Sequence, residues 1–233
     1  MGKKAARKTR RSQLSTGRVL RAAVALADDG GIDSLSMRRL GQALGVEAMS
    51  LYNHVANKDE ILDGIGDLVV SEIEIPAPDL DWKIAMRRRA ISARGVFLRH
   101  PWVTSLIESQ INMSPERLRY FDATIGSLRR GGFTIGLAYN AFLTLDSYIY
   151  GFIHHEVSWQ HAPDEREELV ADLEPQVSAQ DYPHVAEIMQ FVLELSQTSR
   201  QPSYRSEFEF GLDLILDGLE RKLEKQSPAG ASI

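Results

Sequence analysis

Residues 35–55 read LSMRRLGQALGVEAMSLYNHV and contain two short helical patterns on either side of a glycine. Ser36 is a suitable N-cap for the first pattern, and Gly45 ends it. A second short helix is expected over residues 47–54. Two short helices around a glycine turn form a helix-turn-helix when their apolar side chains pack together. The apolar residues expected to face inward are Leu40, Leu44, Val46 and Leu51.

The second helix of this pair keeps one free side when those residues are packed. In helix-turn-helix proteins that side enters the major groove of DNA. Its outward residues are Ala48, Met49, Ser50, Tyr52, Asn53 and His54. Arg38 and Lys58 flank the pair where phosphates would run, and such contacts fix the register of binding rather than the sequence. A helical hairpin without a role in DNA binding is the alternative.

Basic residues are concentrated at the N-terminal end of the chain. The formal net charge is −5, yet residues 1–60 hold eleven Lys or Arg against six Asp or Glu. A basic end on an acidic body is typical of a module that binds a polyanion. We expect residues 1–14 to form a flexible basic arm, although a solvated tail that aids solubility would have the same composition.

The bulk composition indicates a globular protein of the cytoplasm. The 233 residues are 43% apolar and include no cysteine, which excludes disulfides and Cys-ligated zinc. The longest mostly apolar segment, 137–157, is interrupted by polar and charged residues, so a buried helix is expected there rather than a membrane span. No apolar run follows the basic N-terminus as a secretory signal would require. We therefore expect no membrane partner.

Helical spacing runs along the whole chain without a strand pattern, so the fold class is expected to be all-α. A first helix should start near residues 15–16 and stop at Gly30. A fourth should start at Asn57, whose side chain can cap it, with Glu60 completing a capping box and apolar residues continuing to Ile73. These elements and the helix-turn-helix make a small N-terminal domain.

The segment Pro76-Ala77-Pro78 interrupts the helical spacing and is the expected domain boundary. About nine helices in two domains are expected. The helices of the body are expected over 81–99, 115–131, 134–161, 183–198 and 203–225, with a less regular segment over 102–112 and an exposed loop over 162–182. The expected divisions are a flexible arm over 1–14, a helix-turn-helix domain with its connecting helix over 15–75, a helical effector-binding and dimerisation domain over 79–225 and a disordered tail over 226–233.

The motifs of the N-terminal domain resemble the DNA-binding signature of the tetracycline-repressor (TetR) family. The matching segments are SMRRL from Ser36, LGV from Leu44 and LYNHVANK from Leu51. In the body, GGFT from Gly131 and FGLDLILDGLE from Phe210 resemble the C-terminal domain of the tetracycline-repressor branch. The resemblance implies a helix-turn-helix domain followed by a larger helical domain.

The resemblance also implies which residues contact double-stranded operator DNA. Carried over position by position, they are Arg38, Ser50, Tyr52, His54 and Lys58. Ala48, Met49 and Asn53 depart from the branch, which has glutamine, proline and tryptophan there, so we expect a different operator sequence. Asn53 could pair with an adenine through its amide, or it could lie at the surface without a base contact.

A homodimer is implied as well, because the final helix and the helix over 134–161 pair with their symmetry mates in the family. Paired recognition helices suit half-sites one helical turn apart. We expect the dimer to use residues 203–224 and part of 134–161, with an apolar stripe of the final helix at the interface. Packing of this stripe on its own domain is the alternative. This stripe consists of Phe208, Leu212, Ile215, Leu219 and Leu223.

A small-molecule effector pocket inside the body is the last implication of the resemblance, and no cofactor is expected. Candidates for its lining are polar or aromatic residues in otherwise apolar helices, for each of which a core or surface role is the commoner outcome. They are His100, Trp102, Gln110, Asn112, Asn140, Asp146, Tyr148, His154 and Trp159.

Tetracycline itself fits this sequence poorly. The tetracycline-repressor branch has a pocket histidine near the end of its fourth helix, where this chain reads VSEI over residues 70–73. The metal-binding histidine of the branch falls near residues 105–108, where this chain has none. We therefore expect a different ligand.

Several potential metal ligands lie near the end of the long helix. They are His154, His155, Glu156 and His161. Adjacent histidines point about 100° apart on a helix, which makes them poor joint ligands. Glu156 matches one metal-ligand position of the tetracycline-repressor branch, but one ligand does not make a magnesium site. We expect no bound metal.

Together these features predict a sequence-specific DNA-binding transcriptional regulator. Repression at a palindromic operator, relieved by a small-molecule effector, is the default in the family. An activator of the same family and a dimeric ligand-binding protein with a vestigial DNA-binding domain are the alternatives. No phosphate-binding loop, zinc-protease motif or nucleophile elbow is present, so we do not expect an enzyme.

Overall fold

The computed structural model describes residues 14–109, 114–158, 177–197 and 204–226. Within these ranges every regular element is a helix, which confirms the all-α class. None of the described helices is long and apolar enough to cross a membrane. The predictions for the basic arm and the C-terminal tail, and most of the predicted loop over 162–182, lie outside the described residues.

The N-terminal part of the chain folds into four helices and one short turn. They are α1 (Thr16–Gly30), a 3-10 turn (Ile32–Ser34), α2 (Met37–Leu44), α3 (Ala48–Leu51) and α4 (Lys58–Val70). Each of the three longer helices begins at a side-chain cap, and the caps of α2 and α4 are the ones that the sequence predicts. Asn57 shows the arrangement best, because its Oδ1 accepts the backbone N–H of Glu60 at 2.8 Å. The carboxylate of Glu60 accepts the backbone N–H of Ala56. In a capping box it would accept the N–H of the cap residue Asn57, so the observed bond is displaced by one residue.

Two helix ends differ from the sequence expectation. The chain leaves regular helical geometry after Leu51, although the backbone N–H of His54 still donates to the Leu51 carbonyl at 2.8 Å. The fourth helix ends at Val70 and does not continue to Ile73. Its end is closed by Ser71, whose hydroxyl donates to the Leu68 carbonyl at 2.6 Å. A serine that bonds the backbone one turn back offers the chain an alternative to further helix.

The described residues after α4 contain six further helices. They are α5 (Trp82–Arg99), α6 (Val103–Ser109), α7 (Pro115–Arg130), α8 (Ile135–Ser158), α9 (Pro183–Gln197) and α10 (Tyr204–Gln226). The described residues therefore hold ten helices rather than about nine, because the segment that looked irregular over 102–112 contains α6. The predicted bounds of the other body helices agree with the structure to within a few residues.

Contacts divide the chain into two units. The first contains residues up to Glu72 together with Arg99–Arg117, and the second contains Ile73–Leu98 and the chain from Leu118 onward. Sequence order had placed 99–117 in the C-terminal domain, whereas this segment packs on the N-terminal helices. The predicted boundary near residues 75–79 is close to Glu72, the last residue before the chain first enters the second unit.

The segment 99–117 is attached to the first unit by polar contacts to two of its helices. Asp28, near the end of α1, accepts the Trp102 indole N–H at 2.7 Å, and its same Oδ1 atom lies 2.7 Å from Nδ1 of His100. Arg117 forms an ion pair with Asp67 of α4 at 2.9 Å. Because Trp102 and His100 are buried and Asp28 is the acceptor for both, this carboxylate anchors the segment to α1.

The second unit is built around α5, α8 and α10. The ring of Trp82 on α5 meets Phe133 edge to face at 4.7 Å between centroids, and α8 packs along α10. Tyr148 of α8 contributes a hydrogen bond from its hydroxyl to the Phe208 carbonyl at 2.8 Å. The residues of this core include Ala85, Met86, Phe97, Leu128, Ala141, Leu145, Ile149, Ile153, Phe208, Leu212 and Leu216.

Candidate DNA-binding surface and effector site

The outer face of α3 and the turn that follows it present three exposed side chains. Met49 is 75% exposed, Tyr52 is 46% exposed, and Asn53 is exposed as well. Ala48, Ser50 and His54, also predicted to face outward, are half-buried. The predicted DNA-binding set therefore divides into three projecting side chains and three that lie closer to the scaffold.

The inner side of the helix-turn-helix packs as the sequence indicates. Leu40 and Leu51 are fully buried, whereas Leu44 and Val46 are half-buried. The hydroxyl of Thr16 donates to the His54 carbonyl at 3.0 Å, which ties the end of the α3 segment to the start of α1. The exposed face is thus fixed from behind by apolar packing and from one end by a hydrogen bond.

Two glycines allow α2 and α3 to meet closely. Gly45 has φ +69°, in the left-handed region that glycine adopts without a steric penalty. At Gly41 a Cβ atom would lie only 2.9 Å from the carbonyl oxygen of Val46 and 3.2 Å from the backbone nitrogen of Ala48. Gly45 was predicted from the sequence as the end of α2, whereas Gly41 was not. The signal for Gly41 was its position directly after the inward-facing Leu40, where a small residue allows close packing.

The basic residues around α3 have different surroundings. Arg38 and Lys58 are exposed at the start of α2 and α4. Arg39, next to Arg38, instead donates through Nη1 to the Ser34 carbonyl at 3.2 Å and so supports the turn before α2. Of these two adjacent arginines, Arg38 is therefore the one available for a phosphate.

The predicted effector-pocket residues that the structure describes have different surroundings within their own units. His100 and Trp102 pack in the first unit against Asp28, while Asn140 and His154 are exposed on α8. Gln110, Asn112 and Trp159 lie outside the described residues. Of the described candidates, Asp146 and Tyr148 take part in the interior of the second unit, and the Tyr148 hydroxyl is used in the bond to Phe208.

Asp146 belongs to a buried polar cluster that joins three helices. Arg89 of α5 donates through Nη2 to Asp146 of α8 and through Nε to the Tyr120 hydroxyl of α7, the latter at 2.7 Å. Burial raises the pKa of Tyr120 to about 12 and also raises the pKa of Asp146, against the opposing effect of the Arg89 charge. The cluster places a charged guanidinium and a neutral phenol inside an otherwise apolar unit.

Glu156 is not available as a metal ligand. It is buried, and its two carboxylate oxygens accept Nε of Arg94 at 2.9 Å and Nη2 of the same arginine at 2.5 Å. A carboxylate held at both oxygens by one guanidinium is a structural ion pair. Among the residues that the structure describes, no three His, Asp or Glu side chains are grouped as a metal site.

The prediction that the apolar stripe of α10 forms the dimer interface is wrong for the three residues of the stripe that are buried. Phe208, Leu212 and Leu219 are buried within their own unit, where Phe208 stacks on Tyr148. Ile215 and Leu223 are half-buried. The sequence predicts the inner face of α10 as the interface because its apolar residues follow helical spacing from Phe208 to Leu223, whereas the exposed pair Phe210 and Leu214 spans one turn.

Other faces of α8 and α10 remain uncovered. Phe210 and Leu214, one turn apart on α10, are 69% and 56% exposed. On α8 the exposed positions recur at helical spacing. Small or polar residues among them include Gly136, Asn140, Ser147, Gly151, His154 and Ser158, and large apolar ones include Ile135, Tyr139 and Leu143. Exposed apolar residues interspersed with small ones on neighbouring helices are suited to close helix packing.

Two family models match the chain over its two parts. The model for bacterial regulatory proteins of the tetR family matches residues 19–65, and the model for the tetracyclin repressor-like C-terminal domain matches residues 75–223. Because the second match alone covers more than half of the chain, the protein belongs to the TetR family. It is a DNA-binding transcriptional regulator with an N-terminal helix-turn-helix domain and a helical C-terminal domain.

Relatives of known identity agree with this assignment. The chain is 32% identical over 219 residues to the HTH-type transcriptional repressor DrrR1 of Streptomyces coeruleorubidus, covering 89% of this chain and 77% of that one. It is 27% identical to the class A tetracycline repressor from transposon 1721 of Escherichia coli, covering 91% and 93%. Apo ActR from Streptomyces coelicolor superposes with a TM-score of 0.73 at 27% identity, covering 92% of this chain and 98% of ActR. These relatives are regulators, not enzymes.

Proposed function

We propose that this protein is a repressor that binds a palindromic operator as a homodimer and leaves it when a small molecule binds. The observation that carries the proposal is the face of Met49, Tyr52 and Asn53, which projects from a helix-turn-helix whose inner residues are packed. In this proposal the protein acts in the cytoplasm and catalyses no reaction.

The residues of the helix-turn-helix have distinct proposed roles. Met49 and Asn53 are exposed and are assigned to base edges, and Tyr52 is assigned to a base or the adjoining backbone. Arg38 and Lys58 bind phosphates on either side and set the register. Ser50 and His54 contact the DNA backbone, and Ala48 lets the helix approach the groove closely.

The homodimer that we propose uses the uncovered faces of α8 and α10. A two-fold axis would bring both helices of one chain against the same helices of its partner. Phe210 and Leu214 would then be buried, and the small residues of α8 would permit close approach. This assignment replaces the inner stripe of α10 with the outer one.

A small-molecule effector is proposed because two solved structures of a relative contain one. ActR from Streptomyces coelicolor has been solved with actinorhodin and with (S)-DNPA, and the actinorhodin complex superposes with a TM-score of 0.72 at 27% identity. An effector releases DNA only if it binds the non-binding conformation more tightly than the DNA-bound one. We place the site in the second unit, near Asp146.

Selection of bound sequences from random double-stranded DNA, followed by footprinting, tests the proposal. We expect a short palindrome whose half-sites are centred about one helical turn apart. Arg38→Ala should weaken binding to all sequences, because it removes one phosphate contact. The slope of the logarithm of the binding constant against the logarithm of the salt concentration should become less steep by about one. Arg88→Ala, which removes an exposed charge of α5, should leave both unchanged. Enrichment of no sequence would favour a ligand-binding protein with a vestigial DNA-binding domain.

A further inference from the structure

Met49 and Asn53 present free side chains at the surface of the α3 segment. Met49 is 75% exposed, and Asn53 is exposed in the turn that follows α3. The amide of Asn53 forms no hydrogen bond with any other residue that the structure describes. Its carbonyl acceptor and its two N–H donors are therefore available to a ligand.

The backbone that carries Asn53 is held on both sides. The backbone N–H of Val55 donates to the Leu51 carbonyl at 3.1 Å, and both of these residues are buried. The carbonyl of His54 accepts the Thr16 hydroxyl at 3.0 Å. Because the backbone is fixed before DNA arrives, little of the binding free energy is spent on ordering this segment.

The positions of Met49 and Asn53 are about one helical turn apart. Tyr52 keeps right-handed helical backbone angles, with φ −65° and ψ −11°, so the chain continues as a helical turn after Leu51. Four residues of helix advance by about 6 Å, and successive base pairs of DNA are about 3.4 Å apart. The two side chains therefore suit base pairs no more than about two steps apart in one half-site.

The composition of this segment disfavours guanine as its target. Residues 48–54 read AMSLYNH and contain no arginine or lysine. Those are the side chains that most often bind guanine, through its O6 and N7 acceptors. The asparagine amide instead offers a donor and an acceptor side by side, and adenine presents the matching acceptor and donor at N7 and N6. The free amide of Asn53 is therefore matched to adenine.

The Met49 side chain is matched to a different base. It has no hydrogen-bond donor and only a weakly accepting sulfur, so it does not replace water at the polar groups of a base edge. The apolar group of the major groove is the C5-methyl of thymine. Packing the exposed Met49 side chain on this methyl removes apolar surface of both from water without leaving a polar group unpaired.

We propose that Asn53 pairs with an adenine through N6 and N7 and that Met49 packs on a thymine methyl, within two base-pair steps of each other in each half-site. The inference rests on the proposed function and specifies the bases that α3 selects in the operator. Arg38 and Lys58, which we assign to phosphates, add affinity but do not select these bases.

The test uses the full chain and the operator obtained by selection from random DNA. In one half-site each adenine is replaced in turn by 7-deazaadenine, which lacks the N7 acceptor, and each thymine by uracil, which lacks the methyl. Both analogues keep Watson–Crick pairing. Fluorescence anisotropy at fixed salt should find one adenine at which the analogue weakens wild-type binding by about fivefold or more. It should also find one thymine at which uracil weakens binding by about fourfold, as the loss of one buried methyl allows.

Variants assign each effect to one side chain. Asn53→Ala should abolish the effect of 7-deazaadenine and keep that of uracil, whereas Met49→Ala should abolish the effect of uracil and keep that of 7-deazaadenine. Each variant is therefore the matched control for the other. Both positions are exposed, so the melting temperatures of the two variants should equal that of the wild type. The analogue scan of the wild type tests the inference even if a variant does not fold.

Absence of either effect in the wild type, or its persistence in the variant that should remove it, would overturn the inference. A sensitive adenine and thymine more than two base-pair steps apart would overturn it as well. In each of these cases the proposed function survives, because an operator has been selected and bound. If selection enriches no sequence, the proposed function fails and this inference fails with it.

Discussion

Replacing Gly41 with alanine should weaken the helix-turn-helix, although alanine is the better helix former. The added Cβ would lie 2.9 Å from the Val46 carbonyl oxygen and 3.2 Å from the Ala48 nitrogen, and backbone atoms cannot move aside by changing rotamer. Overpacking of this kind costs about 1–3 kcal/mol. The gain from replacing a helical glycine is about 0.5–1 kcal/mol. The difference spans about 0–2.5 kcal/mol, and because both contacts are with backbone atoms we expect a net loss of about 1–2 kcal/mol in the free energy of unfolding.

Thermal and urea unfolding of Gly41→Ala measure this loss. At about 2–4 °C per kcal/mol for a chain of this size, the melting temperature should fall by roughly 2–8 °C. Operator affinity should fall further than stability explains, because the turn that positions α3 has to shift. Gly17→Ala is the matched control, since its Cβ would meet only the end of the Arg21 side chain at 3.5 Å. If Gly41→Ala is as stable as the wild type, the close approach of α2 to the turn is not as described.

Three further predictions concern contacts elsewhere in the protein. Asn57→Ala removes the cap of α4 and should lower the free energy of unfolding by about 1 kcal/mol, measured by urea denaturation. Asp28→Ala leaves the buried Trp102 indole N–H without this acceptor and should lower the free energy of unfolding by about 1–3 kcal/mol. The indole proton should also exchange with solvent faster, as measured by NMR. Hydrogen bonds from Arg205 and Arg87 hold the pKa of Glu209 below its ordinary value of 4.5, so its contribution to stability is present above that value and is lost as the pH falls below it. Glu209→Gln should therefore flatten the acid limb of the stability profile, and an unchanged limb would contradict the ion pair.

Features set by neighbours in the chain were predictable from the sequence. Ser36 and Asn57 cap helices through bonds to residues three positions later, and Gly45 ends α2 through its own backbone conformation. The inner face of the helix-turn-helix followed from apolar spacing, with Leu40 and Leu51 buried as expected. Local chemistry of this kind requires no knowledge of distant segments.

Features that depend on long-range contacts were not predictable. Trp102 and Asp28 are 74 positions apart, and nothing near either residue indicates that the segment after α5 packs on α1. Arg89 was missed because arginine is mostly a surface residue, and its burial is stabilised by Asp146 and Tyr120, which lie on two other helices. The inner stripe of α10 was mistaken for the interface because helical spacing does not distinguish packing within one chain from packing between two.

The most direct test of DNA recognition by α3 is a comparison of the sequences selected by wild type and by a variant carrying Met49→Ala and Asn53→Ala. Both side chains are exposed, so the variant should keep its stability. If they read base edges, the variant should still bind a palindrome of the same spacing, but its preference should relax at one or two positions in each half-site. An identical sequence preference with both side chains removed would contradict the account.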